Sequence, residues 1–389
     1  MMYMKGEIIM KVPYIMTPGP TQVRENVRLS RALETTNPDL DPQFYEFYKE
    51  TCDRIGNFLN TKNEVRILSG EGILGLEAAC ASLTEKGDRV LVIDNGIFGE
   101  GFADFVTMYG GEAVFFKGDR QNKINLQALK EFLDKDSSFK YATIVHCDTP
   151  SGVLNEIDKI CPMLKERGIL TVVDSVAAMG GEELKGDAWK IDIVLGGSQK
   201  VISAPPGLTF VSISDDAFAA MENRKTPIAS FYCNLLVWKN YYENKWFPYT
   251  QPISDIIGLR TAIDNILEEG KENVIARHKI IGRAVRIALE AAGLSLYIKD
   301  GYSSTVTVIE IPEGIDDKKL REYMLSEFGV LIAGSFGYLE GKVIRLGHMG
   351  ENARLDKVSY TLHALQKSFE HFGFKTKDYM CQTFLRSCS

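Results

Sequence analysis

Between residues 65 and 213 the chain alternates short apolar runs with longer stretches of mixed character. The runs fall at 65–69, 89–94, 113–116, 141–146, 170–174, 191–195 and 208–213. They are rich in Val, Ile and Leu and show little period-two alternation, as expected of strands covered by helices on both faces. Stretches between them, such as 75–86 and 157–167, are long enough for helices. This alternation predicts an α/β fold with a mostly parallel sheet. Ligands of such folds collect beyond the C-terminal strand ends, so polar residues there are the candidates for chemistry.

The pattern changes after about residue 250. Ile256, Leu259, Ile263, Ile266 and Leu267 recur at helical spacing, and the helical reading continues through 274–292. Gly270 is a weak point in it, and Gly293 is placed to stop it. A strand at 304–311, a helix at 316–328, strands at 330–333 and 342–346, and a helix at 353–372 follow. We expect an N-terminal segment over 1–15, a large domain over 16–253 and a smaller α+β domain over 254–389.

A length of 389 residues suits two or three domains and a core that needs no disulfide or metal. Lys and Arg number 45 against 52 Asp and Glu, a net charge of −7 without a basic stripe. That balance argues against nucleic acid or an anionic membrane as partner. Seven cysteines are scattered with no C-x-x-C pair, and five histidines form no ligand set. We therefore expect reduced thiols and no metal site. Lys5, Glu7, Lys11 and Pro13 break the apolar run at the start, and no run of about 18 apolar residues follows. The expected location is cytoplasmic.

Residues 69–75 read S-G-E-G-I-L-G, so Gly70, Gly72 and Gly75 match G-x-G-x-x-G after a predicted strand. Asp94 closes the next strand, near where a dinucleotide-binding unit keeps its ribose acid. Alone, this segment would suggest an NAD-dependent dehydrogenase, or a turn with no ligand. The more general inference is phosphate binding by backbone N–H groups at a helix start.

Two further strand ends carry charge. Asp174 ends L-T-V-V-D, where its carboxylate could face a protonated ring nitrogen, cap a helix or hold a ribose. Lys200 follows I-V-L-G-G-S-Q and precedes A-P-P-G. Partial burial there would lower its pKa toward a usable amine able to form a Schiff base. A phosphate loop, an aspartate and a lysine in this order are what pyridoxal phosphate needs.

The sequence resembles the class V aminotransferases of the fold-type I pyridoxal-phosphate enzymes, and most of all their alanine–glyoxylate and serine–pyruvate group. Eight motifs in order carry the likeness. They are T-P-G-P-T (17–21), S-G-E-G (69–72), D-N-G-I-F-G (94–99), H-C-D-T-P-S-G (146–152), V-D-S-V-A-A-M-G (173–180), G-S-Q-K (197–200), A-P-P-G (204–207) and I-R-L-G-H-M-G (344–350). The resemblance implies a large domain with a seven-stranded sheet, a small C-terminal domain and bound pyridoxal 5′-phosphate. It implies ping-pong transfer of an amino group from alanine or serine to glyoxylate or pyruvate. Lys200 would be the Schiff-base lysine and proton carrier, and Asp174 the partner of the ring nitrogen. Val176 and Phe98 would cover the two ring faces, with Thr149 near the ring hydroxyl. Gly72, Ile73 and Gln199 would hold the phosphate, joined by Thr250 from the neighbouring subunit of a homodimer. Arg345 would grip the substrate carboxylate, and Gly19 would keep the pocket small.

Two positions depart from the pattern. Glu71 stands where many members have Ser or Thr, and a carboxylate there would repel a phosphate. Pro248 and Tyr249 precede Thr250 where the family often has histidines. A 2-aminoethylphosphonate transaminase remains an alternative around H-C-D-T. A cysteine desulfurase would need a mobile nucleophilic thiol, whereas Cys381 and Cys388 lie in the final tail.

Overall fold

The computed structural model describes residues 12–389. Seven strands build one sheet: β1 (Glu64–Ser69), β2 (Arg89–Asp94), β3 (Glu112–Lys117), β4 (Tyr141–Val145), β5 (Leu170–Asp174), β6 (Ile193–Gly197) and β7 (Leu208–Ile213). Their order is β1-β7-β6-β5-β4-β2-β3. Only β7 runs against its neighbours. Strands β4 and β7 are buried at every position, which explains why their sequence lacks alternation.

The covering helices include α1 (Pro42–Phe58), α2 (Gly72–Leu83), α3 (Ile97–Met108) and α4 (Ile157–Lys165). Helix α1 was not legible as an apolar run, because its buried face is aromatic. Phe44, Tyr45 and Tyr48 meet Trp238, Tyr241 and Phe247 there. The Tyr48 hydroxyl donates to the Ile67 carbonyl at 2.9 Å, tying this cluster to β1. Asp41 caps α1 by accepting from Gln43 N–H at 2.9 Å, with Pro42 at the first helical position.

A second apolar core lies behind α5 (Ile253–Glu269) and α6 (Lys271–Ala291). It joins α6 to β8 (Thr307–Glu310), α7 (Asp317–Phe328), β9 (Val343–Leu346), α8 (Leu355–His371) and α9 (Met380–Cys388). Met16 belongs to this core, and Tyr14–Ile15 pairs with Val330–Leu331.

Several predicted elements shift, each for a local reason. The long helix divides at Gly270, whose φ of +88° favours glycine. The strand expected at 304–311 shortens to Thr307–Glu310, because Ser303 and Ser304 turn to the buried Glu182 carboxylate instead of a ladder. The strand expected at 191–195 begins at Ile193, since Ile191 N–H closes a turn to Gly186 at 3.0 Å. Helix α2 starts at Gly72 rather than 75, because Glu71 caps it. Helix α9, in the final tail for which no element is predicted, buries Met380 and Phe384 against the second core.

Candidate active site

The parallel strands end on one edge, and their next residues meet in a single cleft of about 210 Å³. Eight of the predicted site residues line it: Gly72, Ile73, Phe98, Thr149, Asp174, Val176, Gln199 and Lys200. Strand β5 delivers Asp174 at its last position, and β6 delivers Gln199 and Lys200 just beyond its end. Helix α2 opens at Gly72, and α3 brings Phe98.

Lys200 and Asp174 are both pushed toward neutrality. Burial lowers the lysine to about 8, aided by the positive charge of Arg345 and opposed by Asp174. Burial raises Asp174 to about 6, against the Val176 N–H and the Lys200 charge. Among the described residues, Val176 N–H at 2.9 Å is the hydrogen-bond donor to the Asp174 carboxylate. The second oxygen is free for a cationic N–H donor in the cleft, which would favour the ionised form. The Lys200 ammonium donates to the Pro18 carbonyl at 2.7 Å. Gly19 follows with φ +91°, and a Cβ there would lie 2.7 Å from Nζ. Gly19 thus leaves room for the lysine itself.

Val176 and Phe98 present apolar surface to the cleft. Gly72 packs on Val176, where an added Cβ would come within 3.0 Å of Cγ2. Phe98 is fixed through its backbone, whose N–H donates to Asp148 Oδ1 at 3.0 Å. Asp148 is fully buried, also accepts from the Ser151 hydroxyl at 2.6 Å, and is raised by burial. Sequence reasoning quoted its motif without giving it a task. A buried carboxylate just past a strand is the signal that could have found it. It joins the β4 turn to the start of α3 and so sets one wall of the site. Cys147 also lines the cleft, with burial pushing its thiol up to about 12.

The corner at the α2 N-terminus is arranged differently. Glu71 Oε1 accepts from Ile73 N–H at 3.1 Å, and Oε2 accepts from Gln199 Nε2 at 3.3 Å. Two of the three groups expected to hold a phosphate at this corner, Ile73 and Gln199, therefore face a carboxylate.

Arg345 lies on β9, opposite Val308 of β8. Its Nε donates to the Gly334 carbonyl at 2.6 Å and Nη1 to the Thr149 carbonyl at 3.3 Å. The second contact brings the guanidinium to the cleft wall. Burial lowers it to about 10. Thr250 lies apart from the cleft lining, and its hydroxyl donates to Asp39 Oδ2 at 2.9 Å.

The model of the family described as aminotransferase class-V matches residues 23–334. The chain belongs to the class V aminotransferases. It is 35% identical to the pyridoxamine–pyruvate transaminase of Mesorhizobium japonicum, over 87% of each chain. It is 31% identical to the alanine–glyoxylate aminotransferase of Callithrix jacchus, over 92% of this chain and 87% of the other. The crystal structure of ureidoglycine–glyoxylate aminotransferase from Bacillus subtilis superposes with a TM-score of 0.93 at 30% identity, covering 98% of this chain and 99% of that one. These relatives share the fold-type I architecture expected from the sequence.

Class V aminotransferases depend on pyridoxal phosphate. Membership overturns the dehydrogenase reading of Gly70–Gly75, and Asp94 accepts from Gly96 N–H at 3.1 Å within its own turn. Against a class V cofactor the cleft divides. Its ring half fits: an amine at Lys200, a buried carboxylate short of a donor, and apolar walls from Val176 and Phe98. Its phosphate half fits poorly, because Glu71 engages two of the three predicted groups, Ile73 and Gln199, and adds a negative charge. Among the described residues, no helix is long and apolar enough to cross a membrane.

Proposed function

We propose that this class V aminotransferase moves an amino group to or from a small amino acid, with alanine or serine as donor and pyruvate or glyoxylate as acceptor. The observation that supports the reading is the convergence of Lys200, Asp174 and Arg345 on one cleft. Arg345 holds the substrate carboxylate through its planar fork. Asp174 would hold the ring-nitrogen proton of a bound pyridine ring, and Lys200 is the amine placed to take and return the proton at the substrate Cα. The working unit is a homodimer in which Thr250 serves the neighbouring site.

The partner of the alanine–pyruvate pair separates two readings. In the first, the ring stays bound as a phosphorylated cofactor and glyoxylate or serine completes the cycle. The second rests on Glu71, whose carboxylate fills the phosphate corner. There the unphosphorylated ring is itself a substrate. Pyridoxamine gives its amino group to pyruvate, and pyridoxal and alanine leave in equal amounts. The corner geometry favours this second reading, and the name of the Mesorhizobium relative agrees with it.

One experiment ranks them. Purified protein, dialysed free of pyridoxal phosphate, is given pyridoxamine and pyruvate. We expect stoichiometric pyridoxal and alanine. Turnover of alanine with glyoxylate that requires added pyridoxal phosphate, and none with pyridoxamine, returns the assignment to the first reading. Failure of both, across a donor screen that includes 2-aminoethylphosphonate, overturns the proposed substrates.

A further inference from the structure

One aromatic side chain stands beside the site without a place in the scheme above. Phe336 is 42% exposed, high for a phenylalanine held by tight local contacts. Its ring meets Phe98 edge-on, with centroids 6.2 Å apart and planes 77° apart. The Arg345 guanidinium lies 5.7 Å from the same ring. Phe336 therefore bridges the residue proposed to hold the substrate carboxylate and the apolar wall of the ring half.

The loop that carries it is fastened at three points. Gly334 accepts from Arg345 Nε at 2.6 Å. The Ser335 hydroxyl donates to the Pro150 carbonyl at 3.3 Å, next to Thr149 of the cleft. Gly337, with φ +61°, packs against Ile97, where a Cβ would lie 3.2 Å from its Cδ1. A ring exposed yet held this firmly has a surface available for a ligand rather than for the core. The arginine is shared between two backbone carbonyls and this ring, so a carboxylate docking on its open side leaves the substrate side chain beside Phe336.

We propose that Phe336 is the specificity-determining residue that limits the length of the amino or oxo acid side chain. It also screens the Arg345 guanidinium from water, which strengthens pairing with a carboxylate. The proposal rests on the reading that Arg345 binds that carboxylate. Truncating the ring opens space for added methylenes, each worth about 10–200-fold in discrimination within an apolar pocket.

The test is kcat/KM for pyruvate, 2-oxobutyrate and 2-oxopentanoate, with the amino donor held fixed, in wild type, Phe336→Leu and Phe336→Ala. We expect the 2-oxopentanoate-to-pyruvate ratio to rise about tenfold or more in F336A, with F336L between. The gain should sit mainly in KM for the longer acid, whereas a merely structural role would lower kcat for all three acids alike. A ratio within twofold of wild type in both variants overturns the proposal. Should F336A fail to fold, F336L carries the same test with a smaller expected shift. An Arg345→Gln arm keeps the failures apart. If R345Q leaves KM for pyruvate unchanged, the carboxylate reading beneath the proposal is wrong. If R345Q raises KM while the Phe336 variants keep the wild-type ratio, the fault lies with Phe336 alone.

Discussion

The two ends of the cleft belong to one sheet edge yet present opposite chemistry. At the ring end, Lys200 and Asp174 are buried, displaced toward neutrality and short of partners. At the phosphate end, Glu71 is exposed, and the Ile73 and Gln199 donors are already engaged by it. A site that leaves polar groups unpaired asks for a ligand to complete it. The phosphate end has two of its donors met by Glu71 and, among the described residues, leaves Gln199 Oε1 without a partner. The difference teaches that one fold can keep its amino-transfer end open while a carboxylate competes for donors at the end expected to anchor the phosphate.

The strongest way to break this comparison is at the ring end. Lys200→Ala removes the amine and the proton carrier together. We expect at least a 10³-fold loss of transaminase turnover, a scale typical of lost acid–base and nucleophilic groups. Stopped-flow assays of pyridoxamine with pyruvate would read it. Retention of more than a tenth of the activity would mean that another group moves the proton. The folded state should survive, because the substitution deletes a buried amine whose protonated form burial already disfavours.

The next test sharpens the other end. Glu71→Ser removes the charge but keeps a side chain able to cap α2. Like charges a few ångströms apart at a partly exposed site cost on the order of 1–4 kcal/mol per pair. Relief of that repulsion should tighten pyridoxal phosphate binding by about 10- to 10³-fold, while pyridoxal binding changes by less than about threefold. Fluorescence titration of the two aldehydes against each variant gives the ratio. If wild type already binds the phosphorylated form more tightly, Glu71 swings aside in solution and the comparison between the two ends loses its basis.

The two ends were also unequally legible in the sequence. Lys200, Asp174 and Val176 follow apolar runs at strand ends, so the alternation that announces the sheet also marks where its ligands gather. The glycine motif carries only a general meaning, that backbone N–H groups at a helix start can meet an anion. Whether Glu71 turns away from the corner or fills it was not legible, since one side-chain rotamer decides it. Arg345 and Phe336 come from a different layer, and their approach to Thr149 and Phe98 depends on how β9 and its preceding loop pack across the chain. No local periodicity encodes that packing. Helix α1 was missed because its buried stripe is aromatic and interrupted by charge, and α9 because nine residues are too few for a periodic signal.

The smallest expected effect is on pH dependence, and it probes the coupling within the ring end. Only the neutral Lys200 amine attacks an aldehyde. With its conjugate acid near 8, the rate of condensation with pyridoxal should rise about tenfold per unit below pH 8 and level off above it. A solvent-exposed lysine would keep rising toward about 10.4. The neighbours set the sign of each variant. Asp174 and, more weakly, Glu71 and Cys147 raise the lysine, while Arg345 lowers it. Asp174→Asn removes a counter-charge, so the midpoint should move below that of wild type. Arg345→Gln removes a like charge, so its midpoint should move above. Rates of absorbance change on mixing with pyridoxal between pH 6 and 10.5 would resolve all three curves. If neither variant moved the midpoint, the lysine would be governed by burial alone. The ring end would then be a desolvated pocket rather than a charge-coupled one.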